Sequence, residues 1–463
     1  MRLPGFIDSH IHFLGLGYIS YNVDLTSSYS ITDIKSKLKE SKQQGIIIGR
    51  GFNQEDLIEK RLPTKEDLNQ VSNDIPIMIV RVCGHVIVVN DKMLELANID
   101  NITKQVEGGT FSYETGVFTE NALGLIYDKI PKPSIDDLRK YLITANKILL
   151  ENGITQVASD DFCIFAIDYE VVMDTINQLY KENLIQVKIT EQVNLPIDKL
   201  RDFISKGYIN KSYGKYRMGP LKILADGSLG GRTAYLKEPY QDDPNNYGVR
   251  TYTDDELFEL VHLADKNNMD VVIHAIGDSA SKQAIDAIVK SLEITKRVNH
   301  NHAIIHAQLT NQEQILEMSK HEIGAIIQPI FLNSDIPIIE SRIGNRAKDS
   351  YLFKTMYNSG VNVGFSTDCP IEPINPFYNI YSAITRRSIK HTNSPCFNEN
   401  EGFTIEESLK CYTVNNHRYV YQETISNDYI IIDKDINNIK NKDLLDIKVL
   451  DTYIDGKLVY RRD

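Results

Sequence analysis

Short runs rich in isoleucine and valine alternate along this chain with longer stretches whose apolar residues recur every three or four positions. The short runs read as buried strands and the spaced stretches as amphipathic helices. Strands are expected at 5–10, 153–159, 185–192, 219–225, 269–275, 301–307, 324–330 and 361–367. Helical segments lie between them, among them 135–150, 254–267, 279–292 and 311–321. Strand and helix alternating eight times predict a parallel sheet closed into a (β/α)8 TIM-type barrel, in the α/β class. Continuous apolar strands such as Val271-Val272-Ile273 suit a sheet covered on both faces.

The rhythm breaks twice. Between the first and second strands lie about 140 residues, far more than one crossover requires. Within them, 46–51 and 75–82 read as strands, 92–97 as a short helix, and Gly108-Gly109 and Gly116 as turns. We therefore expect an inserted α+β cap subdomain at 45–130, with the barrel built from 1–44 and 131–420. The tail, 421–463, carries a strand at 429–432 and a hairpin of 446–453 and 457–461 around Asp455-Gly456. These strands are too few to stand alone, so the chain ends are expected to form a reduced β-sandwich.

Composition narrows the function classes. The 463 residues carry a net charge of −12, which argues against a nucleic-acid surface, since phosphate neutralisation needs clustered Lys and Arg. The five cysteines are scattered, with no Cys-x-x-Cys pair, as expected for reduced thiols in a cytoplasmic protein. No apolar run approaches the roughly 18 residues of a membrane span, and Met1-Arg2-Leu3-Pro4-Gly5 leaves no room for a signal peptide.

Candidate chemistry gathers at strand ends, which is where barrels of this type place their active sites. His10 and His12 stand two apart on the first strand and so share a face; Asp8 shares it too. Neutral imidazoles are common zinc ligands, and two on one face can grip one ion. His274 and His306 end neighbouring strands at matching positions. His300 and His302 form a second His-x-His but precede their strand, which assigns them to the opposite, structural end. Asp368 follows the last strand and can bind a metal or take a proton from the attacking water; its alternative is a helix cap. Lys222 sits inside an apolar strand, where an unpaired ammonium is costly. A carbamate on its amine would be an anion able to bridge two metals; pairing with Asp226 is the alternative. Glu120 is a rival bridging carboxylate, and His85 a candidate substrate contact. Asp226, Arg232 and Gln328 are candidates for substrate positioning or, equally, for ordering their loops.

Taken together, PGFIDSHIH at 4–12, KILADGSLGGRTA at 222–234, RGFNQEDL at 50–57, LPTKEDL at 62–68, GH at 84–85, HAQL at 306–309, QPIF at 328–331 and STDCP at 366–370 resemble the amidohydrolase superfamily. The closer likeness is to its amidohydrolase-3 branch, which includes N-substituted formamide deformylase-like enzymes. The resemblance implies one or two divalent metals, usually zinc, held by His10, His12, Lys222, His274, His306 and Asp368. It also implies a metal-bound hydroxide that cleaves an amide-like, non-peptide C–N bond of a small molecule, such as an N-acyl or N-formyl amine. In that scheme Asp368 is the proton carrier, and His306 stabilises the oxyanion if a single metal binds. Two departures stand out. The branch usually begins earlier, with strands that complete the sandwich; here the tail is left with a bare edge, for a second subunit in a homodimer to cover, or for an upstream start to complete. Ile305 also replaces an acidic residue common before the sixth-strand histidine, which removes a partner that would tune metal affinity. The rivals are a mononuclear deaminase, an ester or lactone hydrolase on the same barrel, and a degenerate barrel acting as a binding protein.

Overall fold

All six residues of Phe6–Ile11 (β1) are buried, as a strand lined by side chains on one face and helices on the other requires. In the computed structural model β1 pairs in parallel with Ile154–Ser159 (β2), and β2 with Lys188–Val193 (β3). The parallel order continues through Tyr216–Leu224 (β4), Val271–Ala275 (β5), Ala303–His306 (β6), Gly324–Ile327 (β7) and Val363–Phe365 (β8). All eight expected barrel strands are therefore present, with ends shifted by a few residues. Residues 1–463 are described apart from 42, 44, 83, 85, 107, 108, 166 and 422–426. His85, Cys83 and the Gly108 turn thus lie outside the described residues.

The crossovers are helices whose sequence sets their buried stripe. In Ile135–Glu151, Leu138, Leu142, Ala145 and Leu149 recur at helical spacing and are buried, while Asp136 and Asp137 sit in the first turn, where the helix dipole favours acids. Asp254–Asp265 and Gln312–Lys320 begin with capping boxes, Thr253 with Glu256 and Asn311 with Gln314, which satisfy the first backbone N–H groups.

Among the described residues no ladder joins β8 to β1, and other groups close the ring there. The Asn416 side-chain amide donates to Ile7 O at 2.6 Å and to Phe365 O at 2.8 Å, stapling the two strands. Gly364 makes room for it: a Cβ there would stand 2.1 Å from Asn416 Oδ1. Higher up the seam, Ser9 Oγ donates to Phe365 O at 3.0 Å. At the rim, the Asp368 N–H donates to His10 O (3.0 Å) and the His12 N–H to Cys369 O (2.8 Å). The main chain of the last strand's loop is thereby locked to the His-x-His strand.

The chain ends form an antiparallel sheet in the order Arg2–Pro4, Tyr429–Ile432, Val449–Ile454, Lys457–Arg461. Arg2–Pro4 is a strand the hydrophobic pattern does not mark, being only three residues long. The Asp455-Gly456 turn has φ of 51° and 75°, the doubly left-handed geometry that suits a tight hairpin.

The chain divides into two compact units, Met1–Leu16 with Leu138–Asp463, and Gly17–Asp137. The second contains the 45–130 stretch and is built on a six-stranded sheet ordered Val23–Asp24, Ile47–Phe52, Ile77–Arg81, Val86–Val89, Val117–Glu120, Gly109–Ser112. Its strands alternate strictly: Ile47, Ile77, Ile79 and Val88 pack with Leu38 on one face, and Ile48, Met78, Val80 and Ile87 with Met93 on the other. Among the described residues, no helix is long and apolar enough to cross a membrane.

Candidate metal centre

Parallel register brings the strand ends to one rim. Leu224 of β4 stands opposite His274 of β5, and Ala275 opposite His306 of β6, while the β8–β1 seam carries Asp368 against His10 and His12. His10, His306 and Asp368 each bring a ligand atom to within 4.8 Å of the other two. His12 Nε2 lies 3.1 Å from Asp368 Oδ1 and His10 Nε2 3.3 Å from the same oxygen. His306 Nε2 lies 2.9 Å from His274 Nδ1, and Lys222 Nζ 3.4 Å from His10 Nε2.

The hydrogen bonds behind the imidazoles decide what these contacts mean. A neutral imidazole carries one N–H. His12 Nδ1 donates to Asp160 O at 3.1 Å and His274 Nε2 to Gly227 O at 3.0 Å, both carbonyl acceptors. His10 Nδ1 donates to Gln192 Oε1 at 2.6 Å, an amide oriented by its own Nε2 donating to Ser9 O. His306 Nδ1 donates to Gln328 Oε1 at 2.8 Å, and Gln328 Nε2 donates to Ser366 Oγ at 2.6 Å. In the neutral form all four rings would therefore turn a lone pair inward, towards each other and towards a carboxylate. Acceptors facing acceptors at these distances repel unless a cation lies between them. The donor set thus fits a divalent metal ion, each histidine having its second nitrogen oriented by a protein acceptor.

Electrostatics separates a proton from a metal as that cation. Burial, aided by the Lys222 charge, pushes His274 down to about 3 and lowers His10. Burial and the His274 charge hold His306 well below its ordinary value. No proton is retained between His274 and His306 at neutral pH. Burial also works to lower His12, but the Asp368 carboxylate outweighs it and holds His12 at about 9. Asp368 itself stays ionised: burial raises it, and the His10 and His12 contacts override burial. Lys222 is 4% exposed, and burial lowers its amine against the raising effect of Asp160 and Asp368.

Three of the chain's left-handed non-glycine residues lie at or beside this rim. His306, Ala307 and Asp368 have φ of 74°, 49° and 56°, left-handed conformations that cost non-glycine residues about 1–3 kcal/mol each. Such strain is kept where a side chain must be aimed.

The remaining candidates fall in distinct places. Asp226 accepts N–H groups from Ile276 (3.0 Å), Gly277 (2.8 Å) and Tyr235 (2.9 Å), tying the loop after β4 to the loop after β5 that carries His274. Arg232 makes a two-point contact with Asp242 at 3.1 and 2.9 Å. Gln328 backs His306. Glu120 ends a strand of the Gly17–Asp137 unit, with φ of 49°. His302 lies at the other end of the barrel, accepting from the Val271 N–H at 3.0 Å and donating to Asp265 at 3.2 Å. Asp8 is buried beneath the rim and accepts the Thr367 hydroxyl at 2.7 Å. Gln192 and the Asp160 carbonyl escape a reading of the sequence; the one signal for the former is that Glu191 and Gln192 are polar yet lie in a barrel strand, where both are buried.

The family pattern described as Amidohydrolase family matches residues 1–460. The protein YtcJ of Bacillus subtilis (strain 168) is 32% identical over 482 residues, covering 100% of this chain and 89% of that protein. N-substituted formamide deformylase of Arthrobacter pascens is 22% identical, covering 99% and 88%. The crystal structure of an uncharacterised metal-dependent hydrolase from Pyrococcus horikoshii OT3 superposes with a TM-score of 0.80 at 29% identity, over 95% of this chain and 87% of that one. Since the match runs through every barrel strand and into the terminal sheet, this chain belongs to the amidohydrolase family.

Proposed function

We propose that this metal-dependent hydrolase cleaves the amide-like C–N bond of a small N-acyl or N-formyl amine. The carrying observation is the set of four oriented imidazoles at the carboxyl-terminal rim of the barrel, with Asp368 against His10 and His12, Lys222 against His10, and His306 against His274. In this reading His10, His12 and Asp368 hold one ion and His274 and His306 a second, with zinc favoured by the nitrogen-and-carboxylate set. Bound there, a divalent ion would polarise the scissile carbonyl and make water acidic enough to ionise near neutral pH.

The chain's own groups do the rest. Asp368, ionised and fixed by its contacts to His10 and His12, takes the proton of the attacking water and returns it to the leaving nitrogen. Gln192, Gln328, Gly227 O and Asp160 O hold the rings in the tautomer that binds metal. Lys222, its amine lowered by burial, is the candidate for carboxylation: the uncharged form of its nitrogen would add to the carbon of carbon dioxide and release a proton, leaving an anion beside His10. The amide-like substrate class rests on the family and on the formamide deformylase relative.

A panel of N-acyl and N-formyl amines incubated with zinc- or manganese-loaded protein tests this reading, with His274→Ala as control. Turnover by the loaded protein, lost in His274→Ala, is expected. Equal turnover by both would remove the proposed role of the centre.

A further inference from the structure

The loops after β6, β7 and β8 gather a second polar cluster at the same rim. Glu372 follows Asp368 by four residues; its Oε1 accepts from Ser334 Oγ at 2.6 Å and its Oε2 from Asn333 Nδ2 at 3.4 Å. Asp335 Oδ2 accepts from the Tyr351 hydroxyl and, at 3.4 Å, from Gln308 Nε2. Glu372 and Asp335 are each only 8% exposed. Among the described residues neither has a Lys, Arg or His within ion-pair distance; the exposed Lys390 acts on Glu372 only through its longer-range field. Gln308 Oε1, on the amide that touches Asp335, is buried and receives no hydrogen bond.

Buried anions without a counter-charge and a buried acceptor without a donor are both costly, and native proteins rarely keep either idle. Burial raises both carboxyls, Asp335 to about 7, and among the described residues only the distant Lys390 field on Glu372 works against this with a positive charge. What is missing is positive charge and N–H donors, at one place. A metal ion would also satisfy the amide oxygen, but among the described residues no third His, Cys, Asp or Glu joins the two carboxylates to hold one; an ammonium supplies both charge and N–H donors. We propose that Glu372, Asp335 and Gln308 form a subsite for a cationic nitrogen, so that the amide cleaved at the neighbouring centre belongs to a molecule that also carries an ammonium group. The subsite stands on its own geometry; only its place in the substrate rests on the hydrolase reading above. The net charge of −12 steers cations towards the protein in any case.

Isothermal titration of the full chain at pH 8.5, metal-free and metal-loaded, with butylammonium and its neutral analogue butan-1-ol, tests the proposal. Butylammonium should bind and butan-1-ol should not. Glu372→Gln and Asp335→Asn should each weaken ammonium binding about 10- to 100-fold, as loss of a charge-assisted hydrogen bond does, while Glu372→Asp should retain part of it. Equal binding of ammonium and alcohol by the unaltered chain overturns the subsite, and needs no variant to fold. Unchanged affinity in a folded Glu372→Gln overturns it too. Ammonium binding without turnover of any N-formyl or N-acyl amine supports the subsite and counts against the amide reading alone.

Discussion

Four histidines that each present a lone pair to a common space when neutral are held there by groups with no chemistry of their own. Gln192 and Gln328 meet His10 and His306 at Nδ1, the ring nitrogen turned away from the centre. Gln192→Ala and Gln328→Ala should therefore each cost about 10- to 100-fold in metal affinity, measured by chelator competition, without removing a ligand. Unaltered affinity would show that the rings need no such support. The pH dependence of loading has a definite sign. His12 is held at about 9 without metal, so an ion arriving at pH 7 displaces a proton, and affinity rises with pH until about 9. Proton release on zinc addition, followed in a weakly buffered solution, checks this. His10, His306 and Asp368, whose ligand atoms lie within 4.8 Å of one another, are legible in the sequence because strand ends place them at one rim; His12, Lys222 and His274 are proposed as ligands on the same pattern. Gln192 shows only as a polar residue in a strand, and Asp160 O not at all, because a backbone carbonyl leaves no trace in a side-chain pattern.

At the scale of elements, the barrel is completed by a side chain where a ladder is absent. Asn416 joins β1 to β8 through two strand carbonyls, and the rim contacts of Asp368 and His12 continue that seam to the metal site. Asn416→Ala should destabilise the fold by about 2 kcal/mol, since buried carbonyls lose their donor. It should also lower metal occupancy, because the ligands on the two strands lose their common frame. Urea unfolding with metal analysis of the same sample separates the two effects. The eight strands follow from the apolar runs, whose lengths and spacing leave few other arrangements. Arg2–Pro4 is too short to carry a pattern, and its pairing with Tyr429–Ile432 depends on the two ends of the chain meeting.

Across the whole molecule, chemistry and stability occupy opposite ends of the barrel. The lower end holds a charge network in which Asp265 accepts from His302 (3.2 Å), Arg297 (3.1 Å), Ser291 (2.8 Å) and Thr295 (2.7 Å). Burial works to raise the Asp265 carboxyl, but the His302, Thr295 and Ser291 contacts outweigh it and hold it below the usual carboxylate range. A depressed folded value means its stabilisation is complete above about pH 4 and is lost as pH falls further. Asp265→Asn should cost about 3 kcal/mol at neutral pH and flatten the acid limb of the stability curve, while leaving metal content unchanged. A loss of metal in that variant would show that the two ends are not independent.

The account stands on one centre at the upper rim. Anomalous diffraction at the zinc edge from crystals of the zinc-loaded chain tests it most directly. The predicted result is a peak bonded at about 2.0–2.1 Å to His10 Nε2 and His12 Nε2, with a second beside His274 and His306 if two ions bind. Zinc bound at His300 and His302 instead, or absent from the upper rim of a fully loaded protein, would contradict it.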